Sequence, residues 1–322
     1  MRFLVTGGAG FIGSHLCERL VEKSHFVVCL DNFDSFYDPG IKRRNVQSLL
    51  SQKRFHLVEG DILRRRVLER VFGEGAFDVV VHLAARAGVR SSIQKPRLYQ
   101  KVNIEGTVNL LEFSKRFSIP KFILASSSSV YGKNSKIPFS EADSVDFPVS
   151  PYAATKKACE LLAFTYSSLY SFSVTCLRFF TVYGPRQRPD MAIHKFTKLI
   201  AEGQAVPLYG DGTSRRDYTF ITDIIDGVEH AIEGCDGYRI YNLGESQTIT
   251  LNTLVRLIEK NLGIEAKIER FPDQPGDVPI TFADISRARD EIGYNPRVPV
   301  EAGIGEFVRW YKETSRVRKN PT

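Results

Sequence analysis

The sequence predicts an α/β protein built on a doubly wound parallel sheet, with a smaller α/β region toward the C-terminus. Between residues 2 and 180, short runs rich in Val, Ile and Leu alternate with stretches of helical periodicity. Strands that are apolar along their whole length indicate a parallel sheet that is covered by helices on both faces. The runs are RFLVT, HFVVCLD, FHLVEGD, FDVVVHLAA, PKFILASSS and FSVTCLRFF.

The spacing of apolar residues and breakers predicts two domains. Apolar periodicity delimits two helices in the first part of the chain, at residues 97–117 and 151–170. After about residue 180, prolines and glycines become frequent and the helices shorten, but 217–245 again has the pattern of a helix and a strand. We therefore expect a first domain over 1–180, joined by 217–245, and a second, discontinuous domain within 181–322.

Composition and charge exclude several classes of protein. No stretch of the 322 residues approaches the roughly 18 unbroken apolar residues of a membrane span. The net charge of +7 comes without a basic patch interleaved with aromatic residues, so we expect no nucleic-acid partner. The start of the chain shows no export signal and the five cysteines form no CxxC pair, which favours a cytoplasmic protein with buried free thiols.

A glycine-rich turn follows the first predicted strand. Gly8, Gly10 and Gly13 fit the pattern G-x-G-x-x-G, between the strand RFLVT and the helix FIGSHLCERLVEK. This order is typical of a dinucleotide site, because the glycines let the backbone approach a pyrophosphate at the positive end of the helix. The first domain is therefore predicted to be of Rossmann type.

Two acidic residues follow the next two strands. Asp31 lies 18 residues after Gly13, where its carboxylate can bond to an adenosine ribose and would repel a 2′-phosphate. This placement favours NAD over NADP, although an Asp-Asn pair is also common in turns. Asp61 can accept a hydrogen bond from the adenine amine or, alternatively, cap a helix.

Tyr152 and Lys156 form a Y-x-x-x-K pair on one face of the helix 151–170. A phenol, whose ordinary pKa is about 10, is a weak base at neutral pH, but a nearby ammonium favours the phenolate. Ser127 lies near the end of the strand PKFILASSS, and parallel strands end at one edge of a sheet. Ser127 can therefore contact a substrate alcohol while Tyr152 takes its proton, although a serine run can also be a plain polar strand end.

Five segments carry a family resemblance: TGGAGFIG at 6–13, HLAA at 82–85, SSSSVYG at 126–132, YAATK at 152–156 and RFFTVYGP at 178–185. They resemble the extended short-chain dehydrogenase/reductase family, and the similarity spans nearly the whole chain. Within that family the sequence resembles the nucleotide-sugar epimerases, and bacterial UDP-glucuronate 4-epimerases most closely.

The resemblance implies a tightly held NAD and inversion of a UDP-sugar at C4 through a 4-keto sugar, without net redox change. Tyr152 would take the C4 hydroxyl proton, Lys156 would favour the phenolate and hold the nicotinamide ribose, and Ser127, with Ser129, would contact the 4-oxygen. A homodimer built on helices 97–117 and 151–170 is also implied. The implied cofactor contacts are Gly7, Gly8, Gly10, Phe11, Ile12, Gly13, Asp31, Asn32, Asp61, Ile62, Leu83, Ala84, Ala85, Arg86, Asn103, Tyr152, Lys156 and Phe179.

Several positions bear on the sugar. Related 4,6-dehydratases carry an Asp-Glu pair where this chain has Ser128 and Ser129, so elimination of water lacks its carboxylates. Thr181 and Arg188 stand where the glucuronate epimerases that this chain resembles have the same residues, and they could hold a C6 carboxylate. Such charge-assisted bonds would be stronger than bonds to a neutral hydroxymethyl group. Alternatively, the positive charge of Arg188 binds the diphosphate or is simply solvated. The substrate contacts expected are Ser127, Ser128, Ser129, Thr181, Arg188, Arg216 for the diphosphate and Asp277 for ribose or sugar hydroxyls.

The sequence thus predicts interconversion of UDP-glucuronate and UDP-galacturonate. It departs from that subfamily at Arg86, where glutamine is common, and at Arg186, where an aromatic residue is usual. UDP-glucose or UDP-N-acetylglucosamine 4-epimerisation, UDP-glucuronate decarboxylation and a non-catalytic NAD-binding regulator are the alternatives. No metal is expected, because the six histidines form no HxxxH or His/Cys cluster.

Overall fold

The protein is represented by a computed structural model, which describes residues 1–272 and 278–319. Within these residues, seven strands form one parallel sheet in the spatial order β3-β2-β1-β4-β5-β6-β11. The strands are β1 (Arg2–Thr6), β2 (Phe26–Asp31), β3 (Phe55–Glu59), β4 (Val79–His82), β5 (Lys121–Ser127), β6 (Ser173–Phe179) and β11 (Tyr238–Leu243). The order reverses between β1 and β4, so the predicted doubly wound Rossmann-type sheet is confirmed.

Both faces of the sheet are buried, as the apolar strands predicted. Phe3 and Val5 of β1 point into one hydrophobic cluster, while Leu4 between them belongs to the other. This alternation follows from the two-residue period of a strand, and both faces need apolar side chains because helices cover both. The first cluster continues into the C-terminal part of the chain through residues such as Leu254 and Phe307.

Helices cover the sheet and build the C-terminal part. They are α1 (Phe11–Glu22), α2 (Pro39–Asn45), α3 (Arg65–Gly73), α4 (Val89–Gln94), α5 (Pro96–Tyr99), α6 (Gly106–Arg116), α7 (Pro151–Tyr170), α8 (Ala192–Ala201), α9 (Ile221–Glu233), α10 (Leu251–Leu262), α11 (Ser286–Ile292) and α12 (Val300–Lys319). None of these helices has the combination of length and apolarity that crossing a bilayer requires.

The two predicted helices differ in how regular they are. The helix predicted at 151–170 is α7 with the same bounds. The helix predicted at 97–117 contains a π-helical segment, Gln100–Glu105, between α5 and α6. Such a segment widens one turn and changes which side chains face inward, and here it carries the buried Asn103.

The later strands are short and pair outside the main sheet, apart from β11. They are β7 (Thr181–Tyr183), β8 (Ala205–Tyr209), β9 (Arg215–Arg216), β10 (Tyr218–Phe220), β12 (Ile249–Thr250) and β13 (Lys267–Phe271). β7 pairs with β10, β8 with β13 and β9 with β12. The segment 217–245 supplies β10, α9 and β11, and β11 lies parallel to β6.

Candidate active site

A cavity of about 600 Å³ lies at the carboxyl edge of the sheet. Its walls come from the segments that follow β1 to β6, together with α7 and the loop before α8. Most of the predicted cofactor residues line it: Gly7, Gly10, Phe11, Ile12, Gly13, Asp31, Asn32, Asp61, Ile62, Leu83, Ala84, Ala85, Arg86, Tyr152, Lys156 and Phe179. Residues scattered over the sequence therefore share one cavity.

The glycine turn is packed too tightly for any side chain. Gly7 has a φ of +70°, and a Cβ atom added to it would lie 2.7 Å from the Ala84 backbone nitrogen. A Cβ at Gly13 would lie 2.3 Å from the Gly7 carbonyl oxygen. α1 begins beside this turn. Its N-cap residue is Gly10, so no capping side chain bonds to the backbone N–H groups at the start of the helix. The turn thus presents backbone alone at the positive end of a helix, which fits a pyrophosphate.

Gly8 has a packing role instead of a place on the cavity wall. A Cβ atom at Gly8 would lie 2.5 Å from the sulfur of Cys29 and 3.1 Å from that of Cys17. Both cysteines are buried and unpaired, as are the other three. The first glycine of the pattern therefore lets α1 approach β2 closely.

Asp31 is held in place by the backbone around it. Its carboxylate accepts hydrogen bonds from the Phe33 nitrogen at 2.8 Å and the Ala9 nitrogen at 3.1 Å. Burial raises the pKa of Asp31, and these bonds together with the charge of Lys42 oppose the rise. The carboxylate therefore joins the end of β2 to the glycine turn on the cavity wall, where a ribose hydroxyl of NAD would reach it.

Asp61 and Asn32 form a second polar pair on the same wall. The Asn32 side chain donates to the Asp61 carboxylate at 3.0 Å, and the other Asp61 oxygen accepts from the Leu63 nitrogen at 2.8 Å. α3 begins only at Arg65, with Arg64 as N-cap, so Asp61 does not cap the helix. The glycine turn, Asp31 and this pair together fit the adenosine diphosphate part of NAD.

Asn103, predicted as a cofactor contact, lies behind the cavity wall. It is 1% exposed. Its amide oxygen accepts a hydrogen bond from the Arg86 backbone nitrogen at 2.8 Å, and its amide nitrogen donates to the Arg86 backbone oxygen at 3.1 Å. The same amide donates to the Thr155 hydroxyl at 3.0 Å. Asn103 therefore fixes the segment after β4 against α7.

The predicted reactive residues meet at the end of β5. Tyr152 and Lys156 line the cavity from α7. Ser127 lines it from the end of β5, and Ser128 and Ser129 line it from the turn that follows. The Lys156 ammonium donates to the Ala125 carbonyl oxygen at 2.7 Å. Ser127 donates to the Ser129 hydroxyl at 3.1 Å and accepts from the Ser129 nitrogen at 3.2 Å. A phenol, an ammonium and hydroxyls therefore face one space, a combination suited to moving a proton at a substrate alcohol.

Two arginines on the cavity wall meet around Phe36. The guanidinium of Arg86 lies 5.6 Å and that of Arg188 lies 5.4 Å from the centre of the Phe36 ring. Arg86 pairs with Asp34 at 2.6 Å, and Arg188 with Asp190 at 2.9 Å. Burial acts to lower the pKa of Arg188, but Asp190 and the nearby phenols of Tyr152 and Tyr37 outweigh it, so the pKa is raised. Thr181 also lines the cavity.

Apart from Asn32, the segment 32–38 was not predicted as part of the site. It places Asp34, Phe36 and Tyr37 on the cavity wall, and Lys42 of α2 donates from its ammonium to the Asp34 carbonyl oxygen at 2.9 Å. The available signal was the sequence DNFDSFYDPG, since three aromatic residues in a turn-rich segment need a surface to pack against.

Two of the residues considered above lie elsewhere, and a third lies outside the part of the chain that the structure describes. Arg216 is on β9, outside the cavity lining, and donates to the backbone oxygen of Arg215 at 2.9 Å. Arg186 pairs with Glu18 of α1 at 2.8 Å. Asp277 lies outside the described residues.

The chain is similar to known proteins over most of its length. A family model described as GDP-mannose 4,6 dehydratase matches residues 4–307. UDP-glucuronate 4-epimerase 1 of Arabidopsis thaliana is 46% identical over 328 residues, which cover 96% of this chain and 76% of the plant protein.

Two solved structures have the same fold. UDP-glucuronic acid 4-epimerase from Bacillus cereus, in complex with UDP-glucuronic acid and NAD, has a TM-score of 0.92 and 38% identity, covering 98% of this chain and 100% of that one. UDP-glucose 4-epimerase from Thermotoga maritima has a TM-score of 0.90 and 32% identity, with the same two coverages. This chain therefore belongs to the GDP-mannose 4,6-dehydratase family, in the nucleotide-sugar epimerase branch of the extended short-chain dehydrogenases/reductases.

Proposed function

We propose that this chain is an NAD-dependent UDP-sugar 4-epimerase and that its preferred pair is UDP-glucuronate and UDP-galacturonate. The observation that carries the proposal is the shared cavity: Tyr152, Lys156 and Ser127 face the same space as the glycine turn. A nucleotide held at that turn and a sugar alcohol held at Tyr152 would lie side by side. Epimerisation needs this juxtaposition, because C4 must be oxidised and reduced in one place.

The chain's own residues supply the proton chemistry. When bound, NAD supplies a two-electron acceptor that takes a hydride from C4 and gives it back to the opposite face of the sugar. Tyr152 accepts the C4 hydroxyl proton as the alcohol becomes a ketone, and returns it when the ketone is reduced. Lys156 holds positive charge beside the phenolate, and Ser127 contacts the 4-oxygen. Substrate and product differ only in configuration, so no cofactor is consumed.

The choice of an acid sugar rests on Thr181 and Arg188. A guanidinium and a hydroxyl at the end of the cavity can bond to a C6 carboxylate, and such charge-assisted bonds are stronger than those to a neutral hydroxymethyl group. The Arabidopsis and Bacillus cereus relatives are named for the same acid sugar. The second candidate is a neutral UDP-sugar, because Asp190 already neutralises Arg188.

Incubation with separate nucleotide sugars tests the proposal. UDP-glucuronate, UDP-glucose and UDP-N-acetylglucosamine are each mixed with the purified protein, and the anomeric protons are followed by NMR. We expect UDP-galacturonate to accumulate, without release of NADH or carbon dioxide. Net NADH or carbon dioxide would indicate an oxidoreductase or a decarboxylase. Binding of NAD with every sugar unchanged would indicate a regulator.

The remaining assignments extend this proposal. We infer a nucleotide domain over 1–180 with 217–245, a sugar domain within 181–322, and a cytoplasmic location suited to five free cysteines.

We also infer a homodimer built on helices 97–117 and 151–170. Apolar side chains on the outside of α7 support it: Leu161, Phe164 and Leu169 are more than half exposed, which is unusual for a cluster on a monomer. The molar mass measured by light scattering should be that of a dimer for the unsubstituted chain and that of a monomer for Phe164→Glu.

A further inference from the structure

A buried ion pair lies behind the serine turn of the site. Glu160 of α7 and Arg178 of β6 are each 1% exposed. They form two parallel hydrogen bonds of 2.9 Å, from Nε to Oε1 and from Nη2 to Oε2. Neither residue lines the cavity, so neither is placed to touch a ligand there.

Helix α7 is bonded to β5 at two consecutive residues. Lys156 donates to the Ala125 carbonyl oxygen at 2.7 Å, and one turn later Glu160 accepts from the Ser126 hydroxyl at 2.5 Å. Tyr152, Lys156 and Glu160 are spaced four residues apart and share a face of the helix. The next residue of β5 is Ser127. The contact of Glu160 therefore fixes the position of Tyr152 along the strand that carries its partner serine.

Arg178 extends this contact across the sheet and back to the serine turn. It lies directly beside Ser126 on β5 and beside Asn242 on β11. Its Nη1 donates to the Tyr131 hydroxyl at 3.0 Å, and that hydroxyl donates to Asn242 at 2.6 Å. Tyr131 ends the turn Ser128–Tyr131. One guanidinium thus joins α7, through Glu160, to the turn that presents Ser127 and Ser129.

We propose that Glu160 and Arg178 are positioning residues, which hold Tyr152 and Lys156 in register with Ser127. A buried ion pair is weak evidence for stability, because desolvating two charges costs about as much as their attraction returns. The bonds of this pair to Ser126 and Tyr131, which lie on either side of Ser127 and Ser129 in the chain, give it a geometric role. This role rests on the proposed function, since it concerns the residues that would move the C4 proton.

Replacing the pair by apolar residues separates geometry from stability. Glu160→Leu with Arg178→Met removes both charges together, and such replacements often preserve folding. We expect the NAD-loaded double variant to keep its KM and its thermal midpoint but to lose roughly tenfold or more in kcat, because small displacements of reacting groups are costly. Parental kcat in the folded double variant would overturn the proposal.

Two further variants make the result specific. Glu229→Gln is the matched control, because it breaks the pairs of Glu229 with Arg19 and Lys23 between α1 and α9, away from the cavity. An equal loss of kcat there would mean a general loss of stability and would overturn the positioning role. If the double variant does not fold, Arg178→Lys tests the role instead, because an ammonium lacks the planar fork that bonds to both Glu160 oxygens and to Tyr131 in fixed directions. We expect reduced kcat at unchanged KM, and parental kcat would refute the role.

Hydrogen exchange separates this proposal from the proposed function. If the parent chain leaves every UDP-sugar unchanged, the proposed function fails, but the positioning role can still be tested on backbone amides. We expect faster exchange at residues 125–131 in the double variant than in the parent or in Glu229→Gln. Identical exchange in that segment would show that the pair does not hold the serine turn.

Discussion

The two ends of the cavity are built in different ways. At the nucleotide end, the glycine turn presents backbone, and Asp31 is fixed by backbone nitrogens two and twenty-two residues away. At the proposed sugar end, Arg188 reaches Phe36, where it meets Arg86 from a separate loop, and each arginine is already paired with an aspartate. The first end depends on chain geometry that adjacent residues dictate. The second depends on long side chains whose positions are set by distant segments. We therefore expect substitutions at the first end to weaken NAD binding strongly. Substitutions at the second end should instead change how well one sugar is used relative to another.

Tyr152→Phe should have the largest effect, because Tyr152 is the proposed acid and base of the reaction. Loss of a positioned acid and base costs roughly 100- to 10,000-fold in kcat. NAD should stay bound, since the nucleotide end is unchanged. Turnover by NMR and bound nucleotide after gel filtration give the two readings. Tyr170→Phe, at the far end of the same helix, should leave both unchanged. Near-normal turnover in Tyr152→Phe would remove this residue from the mechanism.

Gly13→Ala tests whether the nucleotide end tolerates any side chain. The added Cβ would meet the Gly7 carbonyl oxygen at 2.3 Å and the Gly8 Cα at 2.7 Å, so backbone must move. We expect weaker NAD binding in titration calorimetry and a loss of about 1–3 kcal/mol in the free energy of unfolding. Gly73→Ala is the control, because nothing lies within 4 Å of a Cβ there. Unchanged NAD affinity in Gly13→Ala would contradict a rigid backbone cradle.

Arg188→Gln tests whether the sugar end selects the acid sugar. A hydrogen bond to a charged group contributes about 1.5–3 kcal/mol, which is roughly a 10- to 150-fold change. We expect kcat/KM to fall by that factor for UDP-glucuronate and to change little for UDP-glucose. Arg186→Gln, from the same loop but paired with Glu18, should leave the preference as it is. An equal fall for both sugars would place Arg188 on a part of the ligand that they share.

Arg86→Gln should have the smallest effect. It breaks the ion pair with Asp34 that joins the segment after β4 to the segment after β2. Pairs that are partly exposed contribute about 1 kcal/mol or less, so NAD should dissociate only a few times faster, as measured by stopped-flow displacement. Lys136→Gln, which breaks an exposed pair with Asp143, is the control. A changed preference between UDP-glucuronate and UDP-glucose would assign Arg86 to the sugar end instead.

Much of the nucleotide end could be predicted because its signals are local. The strand, glycine turn and helix occupy residues 2–22, and the helix of Tyr152 and Lys156 has the predicted bounds. Asn103 was harder, because a π-helical segment changes the face on which it lies. Arg216 was placed on the diphosphate by resemblance, yet its side chain bonds to backbone oxygens outside the cavity lining.

The sequence by itself determined the sheet, the glycine turn and the placement of Tyr152 and Lys156 on one helix, since each follows from the order and spacing of neighbouring residues. Only the tertiary structure decided which distant side chains share the cavity and which pairs they form. The segment 32–38 meets Arg86 and Arg188, and Glu160 meets Arg178, only once strands that are far apart in the chain lie side by side. Such contacts leave no periodic signal, because a long side chain reaches its partner through space and not along the sequence.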